Sequence, residues 1–379
     1  MLTKKYTIVF FSIVLILLSC ESKNGSTDKY AGLVSIDTVL IDPGDQLVMA
    51  ADNMFLSGFS NDLSKLYHND TKNGEIEVIN LDLLKLEKKL KVAQEGPDGV
   101  GTVFWFDYWK DSLFVFYNFA QLSFLNHDME KVRSIDLRNS PLIKMALGEG
   151  VRFRNTFSLL NSADKILVPV ESFDNDFLHL AFIDFEGEEV EIIKDSSLEK
   201  VNDYKIRHIQ GNSFRAIVQP IDIINWDNKI FVFNKANNDI FQFLPEPKEL
   251  LSIKVGVGKV PSGKSKPYRL ETESFEEFSA QVSSLQEETQ FQKLVIDRES
   301  GDFYRIAERK VVAAFEDAPA KWDVFLLKYD PEFKLLAEVK ILDRQPQEGY
   351  KTDYFIKDGM VWLRININDE LGFVRFRVS

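Results

Sequence analysis

Apolar residues along this chain come in short runs, paired across turns of Asp, Asn, Gly and Lys. Residues 103–109 meet Lys110-Asp111-Ser112 and continue as 113–117. Residues 221–226 meet Asp227-Asn228-Lys229 and continue as 230–233, and 354–356 meet Lys357-Asp358-Gly359 before 360–363. Three looser pairs follow the same plan: 46–50 with Asp52-Asn53 and 54–56, 157–160 with 161–165 and 166–168, and 293–296 with a Gly301-containing turn and 303–306. Such turns need positive φ, which Asp, Asn and Gly tolerate best, so each pair reads as a β-hairpin. The runs are continuous rather than alternating, as expected of strands covered on both faces.

Most hairpins continue into a third strand, at 122–125, 178–185, 240–244 and 324–329, and into a fourth, at 132–137, 190–193 and 335–342. Four antiparallel strands per unit is the plan of a propeller blade. The turns recur at a mean spacing of about 60 residues, which leaves room for long loops between blades. The last unit ends with three strands, and 31–41 is an unassigned strand near the start. The reading is an all-β fold: a six-bladed β-propeller of four-stranded antiparallel blades, its ring closed by the N-terminal strand so that no sheet edge is left open. A β-sandwich is the alternative that short strands with polar turns allow. One stretch departs from the β pattern. Ser274-Phe275-Glu276-Glu277 fits a capping box, and Phe275, Phe278, Val282 and Leu285 follow at helical spacing, which predicts one inserted helix over 274–288. It serves as rim packing, a lid or a docking element.

The first residues belong to targeting rather than to the fold. Lys4 and Lys5 precede an apolar run, 6–18, too short to span a bilayer comfortably. Its end, Leu17-Leu18-Ser19-Cys20, looks like the lipobox of bacterial lipoproteins, in which the Cys thiol is alkylated by diacylglycerol and the chain is cut just before it. This predicts a signal peptide over 1–19, lipidation at Cys20, a polar flexible tether over 20–29 and a propeller domain over 30–379. Each buried methylene of such a lipid contributes about 0.8 kcal/mol, so two acyl chains anchor stably without a membrane-spanning helix. Cys20 is the chain's one cysteine, which leaves no thiol for a structural disulfide.

With 31 Phe and 45% hydrophobic residues the chain can bury a large core, which excludes a disordered protein. Its net charge of −13 becomes −15 once Lys4 and Lys5 leave with the signal. Such a surface repels phosphate backbones and excludes nucleic acid as a partner.

With its lipobox, its six hairpins and the loops Glu95-Gly96-Pro97-Asp98-Gly99-Val100-Gly101 and Gly256-Val257-Gly258-Lys259-Val260-Pro261, the chain resembles the β-propeller lipoproteins common in Bacteroidetes that are grouped as domains of unknown function of six-bladed type. The resemblance covers most of the mature chain. It implies a fold and a compartment, the cell envelope, and carries no catalytic residues. The resemblance also bears on orientation: Glu21 is followed by Ser22 and Lys23, without the acidic run that resembles a surface-export signal in that group. The expectation is an outer-membrane protein facing the periplasm, with the cell surface as the alternative, and a monomer.

Candidate chemistry is sparse. His68, His127, His179 and His208 lack metal-ligand spacing, no Gly-x-Ser-x-Gly elbow occurs, and the turns lack the Ser-x-Asp-x-Gly-x-x-Trp pattern of sialidase-like propellers. Neither Gly-rich loop ends in Gly-Lys-Ser/Thr, so both read as turns between blades. No metal or cofactor is expected. Cations that precede inner strands stand out against the acidic background: Arg152 and Arg154 before the third blade, and Arg207, His208 and Arg215 before the fourth. Clustered at the axial mouth they would bind a carboxylate or sulfate through guanidinium forks; otherwise each pairs with a neighbouring Asp or Glu. Two function classes follow. The preferred one is a non-catalytic binding or scaffolding module for a glycan, peptide or envelope protein, and the other is a hydrolase or lyase with its active site at the axial channel.

Overall fold

The structure, a computed structural model, describes residues 33–51, 54–148, 151–160, 163–171, 178–211, 213–268, 271–311, 321–344 and 353–378. The signal segment 1–19, Cys20 and the tether 20–29 lie outside the described residues, as do Asp52 and Asn53.

The predicted turns form where residue chemistry directs them. Asp227 and Asn228 take φ of 49° and 59°, and Asp358 and Gly359 take 55° and 65°. A two-residue turn with both central residues at positive φ matches the twist of the strands it joins. Six antiparallel blades result. Blade I comprises Ser57–Phe59, Lys65–Asp70, Glu75–Asn80 and Lys85–Lys91. Blade II comprises Trp105–Trp109, Leu113–Tyr117, Gln121–Leu125 and Lys131–Asp136. In blade III the inner strand is split into Arg152–Phe153 and Ser158–Leu159, followed by Lys165–Glu171, Leu178–Asp184 and Glu189–Ile193. Blade IV comprises Ile221–Trp226, Lys229–Asn234, Ile240–Leu244 and Glu249–Ile253. Blade V comprises Gln290–Ile296, Phe303–Val311, Lys321–Tyr329 and Leu335–Arg344. Blade VI comprises Tyr354–Lys357, Met360–Ile367 and Glu370–Val378, and Leu33–Leu40 from the other end of the chain adds its fourth strand.

The fold is therefore the all-β six-bladed propeller closed by its N-terminal strand. Buried side chains show why the strands read as continuous apolar runs: each of the six blade-to-blade junctions holds its own hydrophobic cluster. Val115, Tyr117 and Phe124 of blade II meet Phe153, Ile166 and Val168 of blade III, for example, and Trp362 and Phe373 of blade VI meet Leu66 and Ile79 of blade I. A blade buries both faces, so both sets of alternate side chains are apolar. Close approach of inner strands demands a small residue at one point. A Cβ on Gly58 of blade I would lie 2.5 Å from the backbone nitrogen of Tyr108 in blade II.

Two regions differ from the sequence reading. Residues 46–50, expected as the first strand of blade I, carry a short 3-10 turn at Met49–Ala51 instead, and the inner hairpin of that blade lies further along the chain. The cause is Glu77, whose fully buried carboxylate accepts hydrogen bonds from the N–H groups of Met49 (2.7 Å) and Ala50 (3.0 Å). The turn's backbone donors are thereby satisfied without a strand partner.

The insertion around blade IV is also larger than one helix. The hairpin Ile206–Gln210 with Ser213–Ile217 precedes blade IV, and Glu271–Thr272 returns after it to pair in parallel with the first of these strands. A short helix between blades II and III, Pro141–Leu147 (α1), is capped by Ser140. The predicted helix is present as Phe275–Glu287 (α2) and packs Phe278 and Leu285 on Ile206. Ser274 caps it as predicted, accepting from the Glu277 N–H (3.1 Å), and only the return bond is displaced by one residue, the Glu277 carboxylate accepting from the N–H of Glu273 (2.8 Å).

Candidate functional site

The starts of the inner strands surround a cavity of about 1310 Å³ on the propeller axis, and all six blades contribute to its lining. Ser57, Trp105, Thr156, Asp222, Lys293 and Asp353 come from blades I to VI in turn. Two irregularities aim polar side chains into it. In blade III the second strand carries Pro169, which has no N–H to give, and the inner strand opposite breaks between Phe153 and Ser158. The looped-out segment brings the Thr156 hydroxyl to Asp222 of blade IV, donating to Oδ1 at 3.2 Å. In blade V the register shifts between Phe291 and Leu294, a bulge that turns both Gln292 and Lys293 to the cavity. Tyr354 of blade VI secures the bulge by accepting from the Ile306 N–H (3.0 Å) and donating to the Lys293 carbonyl. Lys235 follows the second strand of blade IV, where the Asn234 side chain accepts from the Ala236 (2.8 Å) and Asn237 (3.1 Å) N–H groups and turns the chain.

Three charges at the centre of this cavity, Asp222, Lys235 and Lys293, act on one another without a close ion pair among the described residues. Burial pushes the Asp222 carboxyl above its ordinary range, against the pull of Lys235, the Thr156 bond, Arg305 and Lys293. Burial pushes the Lys293 ammonium down, opposed by Asp353 and Asp222. Among the described residues no carboxylate lies within 4.0 Å of the Nζ of Lys235 or Lys293. Behind them Arg305, fully buried, donates to the carbonyls of Gln292 (3.0 Å) and Asn234 (2.6 Å) and to Asn238 Oδ1 (3.1 Å). Asp353 is held by Arg364 Nε at 3.1 Å and accepts from the Met54 N–H at 3.3 Å. In all, six cations (Arg138, Lys144, Arg152, Arg154, Lys235, Lys293) and two carboxylates (Asp222, Asp353) line the cavity, in a chain of net charge −13.

The structure divides the five residues picked from the sequence. Arg152 and Arg154 line the cavity. Arg154 pairs with Glu171 (2.8 Å), whose other oxygen holds Lys205 (2.8 Å). Arg207, His208 and Arg215 are not among the lining residues; they sit on the inserted hairpin. Arg207 pairs with Glu271, Arg215 lies over the Phe275 ring at 4.6 Å, and His208 is buried with Nδ1 at 3.3 Å from Thr272. Sequence reasoning passed over Asp222, Lys235 and Lys293. A signal for two of them was present, since Asp222 and Lys293 are lone charges inside the apolar runs of inner strands. The Gly256–Val260 loop is no anion cradle, because its Lys259 and Val260 N–H groups already serve the Glu338 carboxylate at 2.7 and 3.2 Å. Among the described residues no group of three or more His, Cys, Asp or Glu could hold a metal ion.

At the opposite end of the axis, where the inner strands turn into the second strands, the chemistry differs. Arg298 of blade V donates to the carbonyls of Ser60 (3.1 Å) and Asn61 in blade I, passing over blade VI. The Asn61 N–H in turn donates to Asp111 of blade II at 2.8 Å.

Comparison with known proteins places this architecture. The model of a domain of unknown function, DUF4221, matches residues 31–340. The crystal structure of a DUF4221 family member from Bacteroides vulgatus superposes with a TM-score of 0.65 at 14% identity, covering 92% of this chain and 98% of that one. A Bacteroides fragilis protein taken to be exported has a TM-score of 0.47 at 11% identity, over 93% of this chain and 98% of its own. The WD40 domain of Neurospora crassa Pan2 has a TM-score of 0.41 at 9% identity, over 86% and 89%. No protein with a curated description matches.

Proposed function

The chain belongs to the DUF4221 family, and from that premise we propose that it is a cell-envelope lipoprotein whose propeller is a non-catalytic binding module, taking an anionic group of a glycan, peptide or envelope protein into the axial cavity. The observation that carries this reading is the reversal of charge, six cations against two carboxylates lining the cavity of an acidic chain. A concave site with low-dielectric walls focuses such a field and attracts the opposite sign. Lipid on Cys20 anchors the monomer to the outer membrane on its periplasmic side, with the tether leading into the strand that closes the ring.

The test is a calorimetric titration of the full chain with polygalacturonate, polyglutamate and inorganic sulfate at two salt concentrations. At least one anion binds, more weakly at high salt, and the Lys235→Met/Lys293→Met double variant loses that binding. Absence of binding to all three, or binding indifferent to the double variant, would overturn the proposal.

The second reading, a hydrolase or lyase at the same cavity, draws on one observation. Asp222 and Lys293 are pushed in opposite directions, the carboxyl up and the ammonium down, as acid and base partners in active sites often are. Release of cleaved product during the titration would favour it.

A further inference from the structure

We infer that the ligand of the axial cavity is an acidic oligosaccharide, with one carboxylated sugar held between an aromatic wall on blades I and II and an ammonium wall on blades IV and V. This rests on the reading of the cavity as an anion-binding site and goes on to name the class of ligand. In a ring of six, blades I and II face blades IV and V across the axis. Phe55, Trp105 and Phe119 line the first side, Lys235 and Lys293 the second. The aromatic rings are not core residues that strayed: Phe55 is 59% and Phe119 52% exposed, and Phe104 packs behind Phe119 with ring centroids 3.7 Å apart. Aromatic faces carry negative quadrupole charge and suit the flat C–H face of a pyranose. Opposite them stand two ammonium groups with no hydrogen bond or ion pair within 4.0 Å among the described residues: Lys293 lies over the Tyr354 ring at 5.8 Å, and both feel the charge of Asp222 only from a distance, so an anion entering the cavity finds their donors available.

The carboxylates narrow the class further. Asp222 uses Oδ1 for Thr156, and among the described residues its other oxygen has no partner. A sulfate ion has no donor to offer it and would be repelled. A sugar acid meets both demands, with its carboxylate toward the lysines and its hydroxyls donating to Asp222. Size argues for an oligomer, since a cavity of about 1310 Å³ exceeds the roughly 300–1,000 Å³ of sites for single small ligands. An acidic peptide could satisfy the lysines but has no flat apolar face for the exposed rings of Phe55 and Phe119 and the partly buried Trp105.

The test titrates the full chain in detergent with the trisaccharide of galacturonic acid, the matching galactose trisaccharide and a tri-glutamate peptide. The uronate is expected to bind at least about tenfold tighter than either alternative, and Lys293→Met and Phe119→Ala each to weaken it by about tenfold or more. Because Phe119 also packs on Phe104, the melting temperature of that variant is measured beside its affinity, and a folded variant with weakened binding isolates the aromatic contact. Equal binding of tri-glutamate, or a Phe119→Ala variant that binds the uronate as wild type does, overturns the saccharide while the anion-binding reading stands. Equal binding of neutral galactose overturns both, and so does failure of the uronate together with every polyanion.

Discussion

The two ends of the propeller axis are made by the same inner strands and treat charge in opposite ways. At the mouth, Lys235 and Lys293 feel Asp222 across the cavity but, among the described residues, make no ion pair with a carboxylate within 4.0 Å. At the far end, Arg298 is spent on the backbone carbonyls of Ser60 and Asn61 and links hairpins that are not neighbours in the ring. The blade cores do not dictate this difference, because apolar clusters run through all six junctions alike. Charge that serves cohesion is bonded within the protein, and charge left loose in an enclosed place is retained for something else. The contrast thus separates residues that hold the ring together from residues that wait for a partner.

The sharpest way to break the contrast is to remove Arg305, a mouth-side cation with a partner on each of its three nitrogens. Arg305→Ala strands three acceptors and empties a site flanked by Phe233 and Phe291, so a loss of about 3–5 kcal/mol in urea unfolding is expected. Stability within about 1 kcal/mol of wild type would show that Arg305 belongs with the loose charges.

A middle-sized effect concerns Asp107, on the inner strand of blade II near Arg298. Burial pushes its carboxyl up to about 6, opposed by the bond from the Tyr108 N–H and by Arg298. A raised acid binds its proton more tightly in the folded chain than in the unfolded one, so folding is disfavoured as pH rises from about 4 to about 6. Allowing for water in the channel, Asp107→Asn should gain about 1–2 kcal/mol at pH 8 and almost nothing at pH 4. A variant equally stabilised, or destabilised, at both pH values would contradict the assignment.

The smallest effect is at Arg298 itself, which is exposed. Arg298→Ala should cost about 1 kcal/mol and leave ligand affinity at the mouth unchanged. Altered affinity would mean that the two ends are coupled.

Much of the ring was legible in the residues. Asp227-Asn228 and Asp358-Gly359 mark tight turns by backbone chemistry alone, and 31–41 stood out as a strand lacking a partner. Blade I was misplaced because the signal there is weak: its inner strand is three residues long and contains Gly58. The stronger apolar run before it is diverted by Glu77, whose role depends on contacts across the fold. The inserted hairpin was missed as a separate sheet for a similar reason, since its third strand, Glu271–Thr272, arrives only after blade IV is complete. The site was half legible. Arg152 and Arg154 were found by position, whereas Lys235 and Lys293 are brought together by the curvature of the ring, which periodicity does not encode.

The closing strand also sets how the molecule responds to force. Leu33 is opposite Val378, and the ladder then runs to Leu40 opposite Gly372, so the two ends of the fold are the two halves of one rung. Tension applied between segments beyond those residues travels through this ladder and bypasses the other five blades. It loads the bonds one rung at a time, as a zip is drawn, instead of shearing them together. The first yield under such a pull is therefore release of Leu33–Leu40, the outermost strand of blade VI, while the inner strand Tyr354–Lys357 stays paired with Met360–Ile367 and keeps Asp353 at the cavity.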